Sequence, residues 1–235
     1  MAIMAMGASL AFTACGKDDD NNNGSGNGGG TGTGTETAEW VDLGLPSGLL
    51  WAKCNLGATS PEEYGDYYAW GETTTKSTYN WSTCKYCTVD AEGGLATLTK
   101  YNTNSTYGTP DNLTTLQAMD DVATQKLGSG ARMPTKAEWE ELINNTTAEW
   151  TQVNGVNGRK FTASNGKSLF LPAAGFRRGS ELLVAGGYGG YWSSSLYEIY
   201  PYHAWSFYFY GGDQRMLYDY YRSDGLSVRA VRSQN

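Results

Sequence analysis

One histidine, His203, stands in 235 residues, and that scarcity removes whole classes of chemistry. A histidine-based nucleophilic triad has a single base to draw on, and a four-ligand zinc site lacks its commonest nitrogen donor. Cysteine is equally sparse, with Cys15, Cys54, Cys84 and Cys87 all inside the first 90 residues. Basic residues number 17 against 24 acidic ones, a net charge of −7 without any basic cluster, so nucleic acid is not an expected partner. Past residue 20 no run is apolar enough to cross a bilayer as a helix.

The first apolar run, "MAIMAMGASLAFTAC", has signal-peptide length and is too short to span a bilayer stably. Small residues Thr13 and Ala14 precede Cys15, and Phe12-Thr13-Ala14-Cys15 resembles a bacterial lipobox. That resemblance implies cleavage after residue 14 and lipid on Cys15. Residues 15–38, "CGKDDDNNNGSGNGGGTGTGTETA", offer no apolar residue to anchor a core and read as a flexible tether. As a Gly-rich coil the tether has an end-to-end distance of about 25 Å. Its "KDDD" resembles the acidic export signal of Bacteroidetes surface lipoproteins. The expected location is the outer membrane, with the protein exposed on the cell surface.

About 195 residues remain, enough for one well-buried domain over 39–235. Gly, Thr, Tyr and Trp recur there between short apolar runs, the pattern of short strands and many turns. Strands are expected around Val41 and over 49–52, joined by a Pro46-Ser47-Gly48 turn. Residues 57–110 read as long loops pinned by Trp70 and Trp81. One helix is expected over 113–127, with Leu113, Leu116, Met119, Val122, Ala123 and Leu127 on one face and Gly128 as terminator. A second opens at "MPTKAEWEELI", where Thr135 and Glu138 form a capping box and Trp139, Leu142 and Ile143 a buried stripe. Further strands are expected over 151–156, 160–163, 168–172, 191–194, 204–210, 215–221 and 226–232. The class is α+β.

Four stretches carry a resemblance. "EWVDLGLPSGLLWAKCNLGATSPEEYGDYYAWGE" (39–72), "GSGARMPTKAEWEELI" (128–143), "GYWSSS" (190–195) and "GLSVRAVR" (225–232) resemble the Fibrobacter succinogenes major paralogous domain, in the family's order. That family is similar to the C-type lectin-like fold in its formylglycine-generating-enzyme variant, which the resemblance implies here. Members of this fold include target proteins of diversity-generating retroelements, in which adenines near the 3′ end of the gene are replaced on a fixed scaffold. The related enzyme uses a cysteine pair in its C-terminal half. No such pair exists here, so the resemblance does not imply its activity, and no catalytic residues are expected.

In an oxidising compartment the three remaining cysteines, Cys54, Cys84 and Cys87, read as one structural disulfide, with Cys54 joined to Cys84 or Cys87. Cys84-Lys-Tyr-Cys87 has the CxxC spacing of a redox motif but lacks the helix such a motif needs after its first cysteine. No metal site is expected, apart from a weak calcium set at Glu62, Asp66 and Glu72. The carboxylate pairs Asp120–Asp121 and Glu140–Glu141 fall on the expected helices and read as solvated faces.

Between Tyr188 and Tyr221 lie ten of the seventeen tyrosines. Period-2 alternation in "HAWSFYFYG" puts Trp205, Phe207 and Phe209 on one face and Ser206, Tyr208 and Tyr210 on the other. The first set, with Trp192, suits a core. The second offers rigid, amphipathic contact area of the kind that dominates paratopes. The candidate contact residues are Tyr197, Tyr200, Tyr202, His203, Tyr208, Tyr210, Tyr218, Tyr220 and Tyr221, with Trp192, Ser193, Ser194, Arg222 and the 228–229 strand as scaffold. The expected function is binding of a protein or glycan ligand at the cell surface. A surface assembly subunit and a divergent enzyme are the alternatives.

Overall fold

The computed structural model describes residues 38–128, 130–217 and 220–234. The signal segment 1–14, Cys15 with the tether to residue 37, and Tyr218 lie outside the described residues. Short strands make up most of the regular secondary structure. β1 (Trp40–Asp42), β2 (Leu50–Ala52), β3 (Cys87–Val89), β4 (Leu95–Leu98) and β5 (Ala131–Arg132) come first. β6 (Thr146–Val153), β7 (Val156–Ala163), β8 (Ser168–Pro172), β9 (Phe176–Arg178) and β10 (Glu181–Leu183) follow. β11 (Tyr188–Leu196), β12 (Ala204–Tyr210), β13 (Gln214–Leu217) and β14 (Val231–Arg232) complete the set. The α-helices among the described residues are α1 (Val122–Leu127) and α2 (Lys136–Asn144), and neither is long and apolar enough to cross a membrane.

The strands assemble into small antiparallel sheets ordered β1-β2-β14-β5, β6-β7-β8, β11-β12-β13, β9-β10 and β3-β4. The molecule is therefore a mixed α+β fold with few helices. The first and last described strands share the first sheet, where Val231 of β14 pairs with both Trp51 of β2 and Arg132 of β5. The β1–β2 turn closes through Gly48 N–H to the Leu45 carbonyl at 2.9 Å, with Gly48 at φ +69°, a conformation that favours glycine.

Strand β11 is the centre. Successive side chains of a strand point to opposite faces, and here both faces are covered. Tyr191 joins a cluster with Trp51, Trp139, Phe161, Phe207 and Phe209. Trp192 joins a second cluster with Tyr68, Trp70, Tyr101, Leu226 and Val228. Ser193 and Ser194 are buried with them. Three indole N–H groups are satisfied across the layers: Trp192 donates to the Tyr68 carbonyl at 2.7 Å, Trp139 to the Trp192 carbonyl at 3.2 Å, and Trp70 to the Ser193 carbonyl at 2.8 Å.

Helix α2 begins as expected, with Thr135 Oγ1 accepting from Glu138 N–H and the Glu138 carboxylate from Thr135 N–H. The expected helix over 113–127 shrinks to α1. Upstream, Leu116 N–H donates to the Ser194 carbonyl and Leu196 N–H to the Thr114 carbonyl, so this stretch lies extended beside β11. Residues 118–120 then form only a 3-10 turn, which leaves Met119 64 % exposed. Asp121 caps α1 by accepting from Thr124 N–H.

The Asp120–Asp121 pair is also not a solvated face. Both side chains are buried. Asp121 accepts from Met133 N–H at 2.8 Å, and burial raises its pKa. Asp120 accepts from Lys85 Nζ (2.9 Å) and the Tyr86 hydroxyl on one oxygen, and from Lys100 Nζ (2.6 Å) and the Tyr101 hydroxyl (2.7 Å) on the other. Burial alone would raise the Asp120 pKa, but these donors overcome it and hold the carboxyl well below the ordinary carboxylate value. Two Lys-Tyr dipeptides thus converge on one buried carboxylate and fasten the loop-rich region to the core.

The expected disulfide pairing is corrected. Cys84 is bonded to Cys87, not to Cys54. A short 3-10 turn at Trp81–Thr83 delivers Cys84, and β3 begins at Cys87. The two Cα atoms consequently stand 5.4 Å apart, the spacing a disulfide requires.

Candidate ligand face

The segment from Tyr197 to His203 links β11 to β12 and carries four of the nine candidate rings. Its backbone is tied down along its length. His203 N–H donates to the Tyr200 carbonyl at 2.8 Å, and Thr103 Oγ1 to the Glu198 carbonyl at 2.5 Å. Arg222 supplies the firmest hold. Its guanidinium, fully buried, donates to the carbonyls of Pro201, Tyr101 and Lys100 at 3.1 Å each, and lies 5.0 Å from the Trp70 ring centroid. Burial pushes its pKa down to about 10.

On this support the rings run in continuous contact. Trp205 meets Tyr197 edge-on at 5.0 Å between centroids, Tyr197 meets Tyr200 at 5.9 Å, and Tyr200 meets Tyr202 at 5.8 Å. Tyr202 touches Tyr107 at 5.0 Å and His203 at 4.5 Å. His203 stacks on Tyr221 at 4.9 Å, and Tyr221 meets Trp81 at 5.4 Å. Contacts of this spacing and tilt are favourable for aromatic pairs and hold rings in fixed orientations. Tyr200 (45 %) and Tyr221 (39 %) remain exposed, as does Ile199 (65 %). Burial pulls the His203 pKa down to about 4 and raises that of Tyr202.

One end of the ring chain borders an open groove of about 590 Å³. Thr114 and Thr115 form one wall, Lys136 and Glu140 of α2 another, and Tyr197, Ile199 and Trp205 the aromatic side. Lys136 Nζ sits 3.9 Å from the Trp205 ring centroid and 3.5 Å from Glu140. The volume falls in the range of small-ligand and side-chain pockets.

The structure separates the expected contact residues into two groups. Tyr197, Tyr200, Tyr202, His203 and Tyr221 come together in the ring chain. Tyr208, Tyr210 and Tyr220 belong to another aromatic set. Tyr208, only 5 % exposed, stacks on Tyr188 at 5.2 Å and on Tyr210 at 6.1 Å, and its hydroxyl accepts from Arg215 Nε at 2.8 Å. Tyr220, 7 % exposed, packs on Phe176 at 4.9 Å and Trp192 at 6.4 Å. The reason is that the second face of β12 is not open: Tyr188, Phe176 and Tyr220 cover it. Of this set Tyr210 alone is exposed, at 43 %. Conversely, Trp205 is not in the core with Phe207 and Phe209 but half-buried at the groove.

The carboxylates weighed for calcium do not converge. Glu62 accepts from Asn154 Nδ2, Asp66 from the Tyr68 hydroxyl, and Glu72 pairs with Lys76. Among the described residues no three His, Cys, Asp or Glu side chains are grouped to hold a metal ion. Sequence reasoning missed the Asp120 cradle and the Lys136–Glu140 wall. The repeated Lys-Tyr dipeptide, 85–86 and 100–101, was the only signal for the first, and nothing in one chain's pattern marked it as convergent. Comparison with known protein families, characterised proteins and solved structures returns no match to this chain.

Proposed function

We propose that this chain is a surface-displayed, lipid-anchored binding protein whose C-type lectin-like domain presents the ring chain and its groove to a protein or glycan ligand. The observation that carries this reading is the ring chain itself. Seven aromatic side chains from three separate segments touch in series on the outside of the molecule, with Tyr200 and Tyr221 left exposed. No core requires that arrangement. Tyrosine and tryptophan so held supply contact area with little entropy left to lose on binding. The lipid on Cys15, the export tag and the tether belong to the same proposal and rest on the sequence alone. So does the lack of the related enzyme's activity, which the missing C-terminal cysteine pair supports.

Retroelement diversification is the sharper form of the reading. The gene tests it: a neighbouring reverse transcriptase and a template repeat with adenines at the codons for Tyr197–His203 and Tyr221 are expected. The binding claim is tested by screening the purified protein on glycan and protein arrays, with Tyr200→Ala/Tyr221→Ala as the comparison. The exposed Ile199 and Tyr200 also fit an assembly subunit. Sedimentation separates the two, since a binder stays monomeric at array concentrations and an assembly subunit does not.

A further inference from the structure

The Cys84–Cys87 disulfide occupies a position that a structural staple would not need. It closes a loop of two intervening residues, Lys85 and Tyr86, and both reach the buried Asp120 carboxylate. On its other side it ends the 3-10 turn that starts at Trp81, with Cys84 N–H donating to the Trp81 carbonyl at 3.2 Å. Trp81 is the terminal ring of the aromatic chain, against Tyr221. One short covalent loop therefore grips the core cradle with one arm and the ligand face with the other. The two arms meet again through Arg222, which bonds the carbonyls of Lys100 and Tyr101, whose side chains fill the other half of the cradle.

We propose that Cys84–Cys87 is a thiol–disulfide exchange site whose redox state sets the order of the ligand face. Neither cysteine is sealed in the core: both are half-buried, and Ser82, Thr83, Lys85 and Thr88 around them are exposed. The reductant is a dithiol, either a small molecule or a dithiol protein. A thiolate of the dithiol attacks one cysteine sulfur, breaking the Cys84–Cys87 bond and forming a mixed disulfide. The second thiol then displaces that cysteine, so two electrons and two protons pass to Cys84 and Cys87 and the dithiol leaves as a disulfide. In the reduced state Lys85, Tyr86 and Trp81 lose the constraint that holds them. Tyr221 and His203 lose the ring that closes their end of the chain. The functional consequence rests on the binding proposal, whereas the coupling itself does not.

Amide hydrogen exchange on the full chain tests the coupling without any ligand. In Cys84→Ser/Cys87→Ser, which leaves Cys54 untouched, exchange at His203 and Arg222 is expected to rise at least tenfold while the β6–β7 hairpin stays protected. Trp81→Ala, with the disulfide intact, should accelerate His203 and leave 85–101 protected. Dithiothreitol added to the wild-type chain should reproduce the double variant at the face. Acceleration confined to 81–89 overturns the proposal, because the face is then uncoupled. Loss of protection across β6–β7 overturns it as well, because the disulfide is then a clamp on the whole fold. A chain that captures no array ligand yet shows the coupling contradicts the binding reading alone.

Discussion

Arg222 donates its backbone N–H to the Tyr202 carbonyl at 3.0 Å, while its guanidinium holds the carbonyl of Pro201 next to it. A fully buried cation thereby carries a partly exposed tyrosine loop. The most solvent-facing segment of the candidate site is fixed by one of the most deeply placed charges in the molecule. Precise ring positions on a loop need such support, because loops otherwise sample many conformations.

Replacing that support tests the relationship. Arg222→Lys keeps a charge but cannot reach three carbonyls in a planar fork. At least one buried carbonyl is left unpaired, at a cost of about 1–3 kcal/mol. Urea unfolding should show a lower midpoint with an unchanged slope.

Two tyrosines of the same stretch should behave oppositely. Tyr200 is 45 % exposed and Tyr208 5 %. Tyr200→Ala should change stability by less than about 0.5 kcal/mol, and Tyr208→Ala should lower it by about 3 kcal/mol or more. Thermal unfolding of both variants under one set of conditions reads the difference.

Asp120 should make the protein acid-sensitive. Its folded pKa is depressed, since four donors outweigh the effect of burial. Its contribution to stability is therefore full above the unfolded value near 4 and is lost as pH falls through the folded one. Wild-type stability should fall more steeply below about pH 4 than that of Asp120→Asn. At neutral pH Asp120→Ala leaves Lys100 unpaired beside the core and should cost about 3–5 kcal/mol.

His203 works in the opposite sense to a surface histidine. Its folded pKa, near 4, lies below the unfolded value of about 6.5 because burial disfavours the imidazolium. The unfolded chain binds the extra proton between those values, so stability is full above about pH 6.5 and declines toward pH 4. Tyr202 and Tyr221 are the rings against it, and Tyr221 should become more mobile over that window. An NMR titration of the imidazole should give a midpoint well below 6; a midpoint near 6.5 would place the ring in solvent.

Much of the fold was legible where local chemistry is decisive. The Thr135–Glu138 box, the Pro46–Gly48 turn and the strand over 204–210 each depend on neighbours in sequence, and each appears where expected. The 113–127 pattern misled because Thr114 and Leu116 pair with the backbone of β11, a long-range pairing that outweighs helical periodicity. The same cause hid Asp120, whose donors come from residues 85–101. For the candidate site, alternation correctly gave Phe207 and Phe209 to the core. It misplaced Tyr208 and Trp205, because whether a strand's second face is open depends on Phe176 and Tyr220 from elsewhere. The contiguity of Tyr197–His203 with Trp81, Tyr107 and Tyr221 is tertiary throughout.

The central claim is that the ring chain, and not the buried Tyr208 set, meets the ligand. Its most direct test is the affinity of the best array ligand for the wild-type chain and for Tyr200→Ala/Tyr221→Ala, with folding verified by near-UV circular dichroism. The account predicts a loss of at least about a hundredfold, roughly 2.7 kcal/mol, with the fold intact. Unchanged affinity in the folded double variant would contradict it.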